Sequence, residues 1–428
     1  MQLITTKSNI IDTLSDEVKT IFSIFKDKAR LVGGAVRNLI INKAVSDFDF
    51  ATSLLPNEII TLLNKNNIKT IDLAKKYGTI IAVINQKNFE ITTLRKDIDH
   101  KGRDCDVEFV DDYFIDASRR DFTINALYLD YNGLIYDYFN GVEDLKNSKI
   151  CFIGDANHRI NEDYLRILRF FRFSCEYAKD VDFEGLKACI ANKINLEKLS
   201  KERIRKEFLL ILNSKNHQQL IRILKIFNDE GILKEIISPT IIYGDLERLF
   251  ALENAINFNA NLLLKIAIIF VKNNNNYDHL NIDFLDKICA TNNEKHYIKS
   301  LVIIANKIQN EALIITNNDE NFIFMLKRIF FDYDSKIIID AIIFVIIKNN
   351  LSIKNFINIL DFCNNFNLPE FPLNGNDLLL LNIHGSNIGD ALNLAKKYWL
   401  ENNFNCKKSQ LINYLKNIIL EGNLINHK

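Results

Sequence analysis

Paired glycines, an arginine and two alternating aspartates lie within one short stretch whose spacing suits a metal ion and a phosphate chain. The pattern predicts a strand that ends at Gly33-Gly34, a helical turn with Arg37, and a second strand with Asp47 and Asp49. Side chains alternate along a strand, so the two aspartates share a face and repel each other unless a cation separates them. Oxygen-only ligands suit Mg²⁺, and the glycines before a helix N-terminus suit an anion. The stretch therefore predicts a site for Mg²⁺ and a triphosphate.

The string RRDFTINAL, residues 119–127, is the second polar motif. The alternation of its apolar residues predicts a strand from Asp121, with Arg120 at its start. Guanidinium groups match phosphate and ribose oxygens, and Asn125 adds an amide that suits a sugar hydroxyl. A strand entry held by ion pairs would show the same residue types.

The third motif, EDYLRILRFFRF, has the spacing of one helix from Glu162 onward. Asp163 and Arg166 are three residues apart and would share a face, and Arg169 and Arg172 continue the stripe. An isolated pair of this kind is usually a surface ion pair. Here the pair can also read a base, because aspartate accepts from the exocyclic amine of cytosine or adenine while arginine donates to the ring. Uracil and guanine present a carbonyl at that position and would be rejected.

Taken in order, these motifs resemble the signature of the nucleotidyltransferase superfamily, in its branch of tRNA CCA-adding enzymes and bacterial poly(A) polymerases. The resemblance spans roughly residues 29–213, with a weaker likeness at residues 373–392. One departure is Asn38, where the family usually has aspartate. Asparagine keeps a hydrogen-bond acceptor but loses the charge, so a supporting interaction is expected to be weaker.

The resemblance implies CCA addition to the 3′ end of tRNA from CTP and ATP by two-metal nucleotidyl transfer that releases pyrophosphate. It implies that Asp47 and Asp49 are catalytic and bind Mg²⁺. It implies that the nucleotide is bound by Gly33, Gly34, Arg37, Arg120, Asp163, Arg166, Arg169 and Arg172. In this assignment the glycines and Arg37 hold the triphosphate, Asp163 with Arg166 reads the base, and Arg169 and Arg172 lie nearer the ribose or phosphates.

The implied architecture is an α+β nucleotidyltransferase head with a mixed, polymerase-β-like sheet, followed by an all-α neck, body and tail. We expect the head at residues 1–138, the neck with base recognition at residues 139–214, and the tRNA-binding body and tail at residues 215–428. The apolar runs 78–84 and 89–94 predict a hairpin, whose Glu90 is either a third metal carboxylate or a solvated strand residue. The segment 96–106 reads as a polar loop.

Two further stretches resemble parts of the family's neck. Gly141 follows an acidic turn and is expected to act as a pivot between head and neck, although an ordinary turn into a helix has the same sequence pattern. Residues 199–207 are assigned to support of the neck, with Ser200 as the helix N-cap. Neither stretch is assigned to the chemistry.

Composition sets limits on the remaining possibilities. The chain has 428 residues and a formal net charge of zero, so attraction to nucleic acid must come from local basic surface. Its seven cysteines are scattered without a Cys-x-x-Cys pair, which predicts reduced thiols and a cytoplasmic protein. We expect no membrane segment and no stable protein partner. No P-loop and no His-Asp pair of a phosphohydrolase occurs.

Three alternatives stay open. A poly(A) polymerase would carry an arginine-rich run after the aspartate strand, whereas this chain has KKYGTI at residues 75–80, which favours CCA addition. A partial enzyme would add only CC or only the final A, but the segment 96–106 is not visibly shortened, which favours the complete reaction. A tRNA-binding protein without catalysis would be expected to lack one of the two aspartates.

Overall fold

The structure is a computed structural model, and it describes residues 2–5, 10–101, 104–237, 241–271, 283–314 and 320–420. The chain divides into two compact units, Met1–Ile241 with Phe284–Cys289, and Ile242–Asp283 with Ala290–Lys428. Within the described ranges every strand belongs to the first unit. A mixed sheet followed by helices confirms the predicted fold class.

The strands of the described ranges are β1 (Gln2–Thr5), β2 (Ala29–Val32), β3 (Asp49–Thr52), β4 (Lys69–Ala74), β5 (Thr79–Ile84), β6 (Lys87–Thr93), β7 (Arg95–Lys101), β8 (Asp104–Phe109), β9 (Leu127–Leu129) and β10 (Leu134–Asp137). Eight of them form one sheet in the order β1-β10-β9-β2-β3-β6-β5-β4. Only β3 and β6 pair in parallel among these strands. β2 and β3 are neighbours, so the sheet brings the glycine turn after β2 beside the aspartates at the start of β3.

The α-helices of the first unit's main segment are α1 (Asp16–Phe25), α2 (Gly34–Ile40), α3 (Pro56–Lys65), α4 (Tyr113–Ser118), α5 (Gly141–Lys146), α6 (Ala156–Glu162), α7 (Leu165–Tyr177), α8 (Phe183–Asn192), α9 (Lys201–Leu212), α10 (His217–Asp229) and α11 (Ile232–Ile236). Later in the chain come α12 (Tyr243–Ile256), α13 (Leu262–Phe270), α14 (Asp283–Lys287), α15 (Asn292–Ile314), α16 (Glu320–Ile329), α17 (Ser335–Lys348), α18 (Ile357–Asn365), α19 (Gly375–Leu379), α20 (Asn387–Glu401) and α21 (Lys408–Leu420).

The large sheet is held in place by apolar side chains on both of its faces. One core includes Phe22 of α1 and Phe50 of β3, whose rings meet edge to face at 5.3 Å. The other surrounds Val32, Ala51 and Tyr128. Burying each large side chain contributes about 1.5–3 kcal/mol. Apolar packing on both faces of the sheet therefore stabilises the strands that carry the site.

The predicted hairpin forms from β5 and β6. Asn85 and Gln86 join β5 to β6 and have φ values of 51° and 63°. Two successive left-handed residues are what a tight hairpin turn requires, and asparagine tolerates that conformation well.

Two local predictions were wrong. The strand expected from Asp121 begins only at Leu127, because Thr123–Asn125 form a 3₁₀ turn. Asp121 Oδ1 accepts hydrogen bonds from the Phe122 N–H (2.8 Å) and Asn125 Nδ2 (3.0 Å), and these short-range bonds compete with extended backbone. The polar segment 96–106, expected as a loop, contributes to the antiparallel ribbon β7–β8, although residues 102–103 lie outside the described ranges.

Gly141 has a packing reason for lacking a side chain. A Cβ at this position would lie 2.2 Å from the carbonyl oxygen of Thr123. The Asp137 carboxylate accepts hydrogen bonds from the Gly141 N–H (3.0 Å) and the Val142 N–H (2.9 Å), which clamps the start of α5. The structure therefore accounts for this glycine by close packing, and its expected role as a pivot stays a prediction.

The second unit is helical throughout its described residues, and a buried ion pair ties three of its helices. Lys348, at the end of α17, donates to Asp245 Oδ2 of α12 (2.7 Å) and to the Ile268 carbonyl of α13 (2.6 Å). A separate core around Trp399 joins α19, α20 and α21. The six cysteines whose side chains are described are free thiols. No helix among the described residues is both long and apolar enough to cross a membrane.

Candidate active site

The glycine turn opens the site. Gly33 follows β2 with φ +71°, a conformation that L side chains rarely adopt, and its N–H donates to the Leu127 carbonyl at 3.0 Å. A Cβ on Gly33 would lie 3.5 Å from Nη1 of Arg120, and one on Gly34 would lie 3.5 Å from Nη2 of Arg37. Both glycines thus keep the backbone accessible between two guanidinium groups.

The two predicted aspartates lie at the edge of the sheet beside this turn. Asp49 is the first residue of β3, whereas Asp47 lies just before the strand and accepts a hydrogen bond from Ser46 Oγ (2.8 Å). The prediction that both belong to one strand therefore holds only for Asp49. Loss of solvent around its carboxylate and the negative charges of Glu90 and Asp47 raise the pKa of Asp49 to about 6, although Arg120 opposes the shift. These carboxylates crowd one another, as expected where a cation binds.

Glu90 is the register partner of Asp49 across the parallel pair β3–β6, and its side chain is exposed. It is close enough to raise the pKa of Asp49. However, no group of three or more acidic, histidine or cysteine residues within the described part of the chain has metal-site geometry. Metal binding by Asp47 and Asp49 therefore stays a prediction.

Arg120 is held by a buried carboxylate that the sequence analysis missed. Its Nη2 lies 3.0 Å from Asp116 Oδ2 and its Nε lies 3.2 Å from the Tyr128 hydroxyl. Asp116 also pairs with Arg119 at 2.8 Å. Burial alone would raise the pKa of Asp116, but Arg120, Arg119 and the hydrogen bond from Tyr128 hold it well below its usual range. A permanent anion therefore fixes both arginines at the edge of the site.

Arg37 is buried and its guanidinium is bonded on three sides. Nη1 donates to Asn125 Oδ1, Nη2 to the Tyr177 hydroxyl at 2.8 Å, and Nε to Asn38 Oδ1 at 3.2 Å. Asn38 Oδ1 also accepts from the Tyr177 hydroxyl at 3.1 Å. The residue that departs from the family pattern thus supplies two hydrogen bonds, and Arg37 links α2 to the end of α7.

The predicted single helix around Asp163 is broken into α6 and α7. Asp163 has φ −153° and ψ 107°, an extended conformation between the two helices. Its Oδ1 accepts from the Leu165 N–H at 3.1 Å, and its Oδ2 accepts from Arg203 Nη2 of α9 at 2.7 Å. Asp163 and Arg166 are therefore brought together by a turn and not by one helical face.

Arg166 is engaged by groups other than Asp163. Nη1 donates to the Glu162 carboxylate and to the Arg159 carbonyl (2.8 Å), and Nη2 donates to the Arg119 carbonyl (3.0 Å). Further along α7, Arg169 Nε donates to Asp121 Oδ2 at 2.7 Å. These bonds position the arginines of the neck against the motif that begins at residue 119.

One cavity of about 670 Å³ collects these side chains. All ten predicted site residues line it: Gly33, Gly34, Arg37, Asp47, Asp49, Arg120, Asp163, Arg166, Arg169 and Arg172. Arg203 and Arg119 also line it, and the sequence analysis had assigned neither to the site. A signal for Arg203 was present in the sequence. Arg203 and Glu207 are four residues apart and lie on one face of α9. Glu207 Oε2 in turn lies 2.9 Å from Nε of Arg172, a predicted site residue.

The cavity combines an acidic pair at one end with a row of arginines. Seven arginines and six acidic residues line it, and several arginines are already paired with a carboxylate. This arrangement can bind a polyanion together with a cation at the aspartates. It has the chemical groups for phosphoryl transfer that depends on positioning and charge neutralisation.

The chain matches one family model and several known proteins. Residues 29–151 match the family model described as the poly A polymerase head domain. Over 404 residues the chain is 32% identical to the CCA tRNA nucleotidyltransferase 1, mitochondrial, of Mus musculus, which covers 92% of this chain and 88% of that protein. It is 31% identical to the CCA-adding enzyme of Staphylococcus aureus over 76% of each chain.

Solved structures share the fold. The Bacillus stearothermophilus CCA-adding enzyme in complex with CTP superposes with a TM-score of 0.71 at 23% identity, covering 95% of this chain and 98% of that one. At this identity the likeness concerns the fold alone.

Proposed function

The chain belongs to the family of CCA tRNA nucleotidyltransferases, and on this premise we propose that it adds CCA to the 3′ end of tRNA from CTP and ATP, releasing pyrophosphate. The observation that carries the proposal is the single cavity that holds the aspartate pair, the glycine turn and the arginines of α7. The fold also supports the proposal, because the sheet that carries the aspartates and the glycine turn is followed by the helix that carries the arginines, α7.

We assign Mg²⁺ to Asp47 and Asp49. The all-oxygen donor set fits this ion, and a cation would offset the desolvation and the negative charges of Glu90 and Asp47 that raise the pKa of Asp49. When bound, the metal neutralises the triphosphate and activates the primer's 3′-hydroxyl. The two carboxylates would hold the ion in position. Arg120 lies close enough to Asp49 to lower the pKa of that carboxyl against the other influences.

For the nucleotide, we place the triphosphate at Gly33, Gly34 and Arg37, and the sugar-phosphate region at Arg120. The buried Asp116 keeps the Arg120 guanidinium aimed at the glycine turn. Arg169 and Arg172 are placed nearer the ribose or phosphates.

We assign the base to Asp163 and Arg166. A carboxylate that accepts from an exocyclic amine admits cytosine and adenine, and repels the carbonyl that uracil and guanine present there. Asp163 Oδ2 accepts a hydrogen bond from Arg203 in this structure. A bound base must therefore share this oxygen with Arg203 or displace the arginine from it.

We also retain the division into head (1–138), neck (139–214) and body with tail (215–428) as a functional proposal. In it the head carries out transfer, the neck selects the base, and the body binds tRNA by shape and phosphate contacts. A cytoplasmic site of action stays a prediction, because curated relatives include proteins named as mitochondrial.

Three tRNA transcripts that end before CCA, after C and after CC test the proposal. Each is incubated with purified protein, Mg²⁺ and CTP, ATP or both, and the products are sized at single-nucleotide resolution. Complete CCA addition predicts three added residues on the transcript that ends before CCA, two on the one that ends after C, and one on the one that ends after CC. The shortest transcript should need both CTP and ATP.

The same gel separates the remaining activities. Products that stop at CC, or growth of only the CC-ended transcript, would assign a partial enzyme. Long adenosine tracts would assign poly(A) synthesis, an outcome to check because the matched head domain is described by that name. Binding of tRNA without any extension would assign a binding protein and overturn the proposal.

A further inference from the structure

The second unit contains a cavity that the proposed reaction does not use. It measures about 660 Å³, within the range of small-molecule sites, and lies among the end of α12, the start of α17 and α18. Its lining is mixed, with apolar side chains beside the carboxylates of Asp340 and Asp361, Lys336 and several asparagines. The lining includes Phe258, Ile339, Ile343, Ile357, Leu360 and Asp340.

A buried carboxylate forms the floor of this cavity. Asp340 is 2% exposed, and its Oδ2 accepts hydrogen bonds from Asn261 Nδ2 and from the Tyr297 hydroxyl. Its second oxygen, Oδ1, has no hydrogen-bond partner or ion pair among the residues that the structure describes. Burial raises the pKa of Asp340 in spite of the two hydrogen bonds. A ligand with an N–H donor can form a hydrogen bond with this second oxygen.

Two exposed side chains of opposite charge, Lys336 and Asp361, also line the cavity. Ser335 and Lys336, the first two residues of α17, line it, and the Lys336 side chain is exposed. The N-cap residue Asp334 accepts from the Ile337 N–H at 3.1 Å, which leaves the N–H groups of residues 335 and 336 without an intrahelical acceptor. Lys336 lies one helical turn before Asp340, so ammonium and carboxylate face the same cavity.

Metal binding does not fit this arrangement. Lys336 places a positive charge beside Asp340, and no cluster of three or more metal-ligating side chains occurs in the described ranges. Five large apolar side chains line part of the cavity: Phe258, Ile339, Ile343, Ile357 and Leu360. They suit the faces of a planar ring, as in sites where bases stack on aromatic and aliphatic side chains.

We propose that this cavity binds a nucleotide whose base carries an exocyclic amine. The amine donates to Asp340 Oδ1, the ring lies between Phe258 and the isoleucines of α17, and the phosphate meets Lys336 at the rim. A free nucleotide and an unpaired nucleotide of RNA share this chemistry. The inference goes beyond the proposed function and does not depend on it.

Photolabelling of the full chain tests the site without an activity readout. The probe is 8-azidoadenosine monophosphate, and labelled peptides are identified by mass spectrometry. We expect adducts within 255–261 or 335–364, in addition to any in the head. AMP and CMP should compete at this site at least about tenfold better than UMP, which has a carbonyl in place of the amine.

Two variants and one control make the assignment specific. Ile339→Trp fills the cavity and Lys336→Glu reverses the charge at its rim, and each should lower labelling at least about tenfold there while head labelling is unchanged. Lys354→Glu makes the same charge change on an exposed lysine that does not line the cavity and should have no effect. Asp340 is left intact because it also holds Asn261 and Tyr297. Melting temperatures check that each variant is folded.

The competitor identifies the source of the nucleotide. Stronger competition by tRNA transcripts than by AMP at equal concentration would assign the site to an RNA base, and the reverse would assign it to a free nucleotide; both support the shared chemistry. Labelling confined to the head, equal competition by UMP, or full labelling of both variants would overturn the proposal.

Discussion

Arg203 shows how one residue of the neck can influence base selection without contacting the reacting phosphate. Its Nη2 holds Asp163 Oδ2 at 2.7 Å while the backbone N–H of Leu165 holds Oδ1. The carboxylate proposed to read the base therefore has a fixed direction. Arg203 is a positioning residue in this account.

Arg203→Gln should therefore weaken selection more than it weakens chemistry. We expect the ratio of kcat/KM for CTP over UTP to fall about tenfold, because the freed carboxylate can turn away from a mismatched carbonyl. Lys206→Gln, on an exposed residue of the same helix, is the matched control. Steady-state kinetics on tRNA lacking CCA measure this ratio in both variants. An unchanged ratio in Arg203→Gln would contradict the positioning role of Arg203.

Asp116 is expected to matter for stability, with a defined pH dependence. Its pKa is depressed in the folded protein, so its contribution is complete above the unfolded value of about 4 and is lost as the pH falls toward the folded value. Asp116→Asn should cost about 3 kcal/mol at pH 7, because Arg119 and Arg120 lose a buried partner. At pH 3 the cost should be smaller by about 1 kcal/mol.

Urea unfolding followed by circular dichroism at pH 7, 5 and 3 measures this difference. Asp111→Asn, on an exposed residue, is the control and should stay within about 0.5 kcal/mol of the wild type. A cost for Asp116→Asn that grows as the pH falls would contradict the assigned ion pairs.

At the scale of elements, the contact between Gly141 and the 3₁₀ turn fixes the junction after the last strand. Gly141→Ala would place a Cβ 2.2 Å from the Thr123 carbonyl oxygen, which is backbone and cannot move aside as a side chain does. We expect a loss of about 3 kcal/mol and a lower melting temperature. Lys146→Ala, at the exposed end of the same helix, should leave the melting temperature nearly unchanged. Equal melting temperatures of the two variants would show that the junction accommodates a Cβ at residue 141, which would contradict the prediction.

Sequence predicted the elements best where apolar patterns and turn residues are strong. The strand before Gly33 and the hairpin around Asn85 carry strong apolar patterns and turn residues, and both form. The helix break at Asp163 was missed, because the periodicity of the motif does not reveal the hydrogen bond that Arg203 makes from a helix about forty residues later. The turn at Thr123 was missed because Asp121 and Asn125 bond locally.

The site was predictable as a set of residues, but its internal bonding was not. Every proposed nucleotide ligand lines the cavity, since the motifs identify them by type and order. Asp116 carries no such signal: it lies in a short helix, and its partnership with Arg120 exists only after folding. The roles of the individual ligands remain predictions for the experiments above.

For the whole molecule, the formal net charge of zero means that attraction to tRNA must come from local basic surface. We expect the tRNA dissociation constant to rise more than tenfold between 50 and 200 mM KCl, as several phosphate contacts would require. Fluorescence anisotropy with labelled tRNA measures this slope. An affinity independent of salt would contradict binding of the body through phosphates.

We propose that Asp47 and Asp49 catalyse the stepwise addition of CCA to tRNA. The measurement that tests it most directly compares wild type with Asp49→Asn on a transcript lacking CCA, with CTP, ATP and Mg²⁺, and sizes the products at single-nucleotide resolution. We predict three added residues for wild type and a rate at least about 10³-fold lower for the variant, with tRNA affinity unchanged. Wild-type protein that binds the transcript but adds nothing, or a variant that retains full activity, would contradict the account.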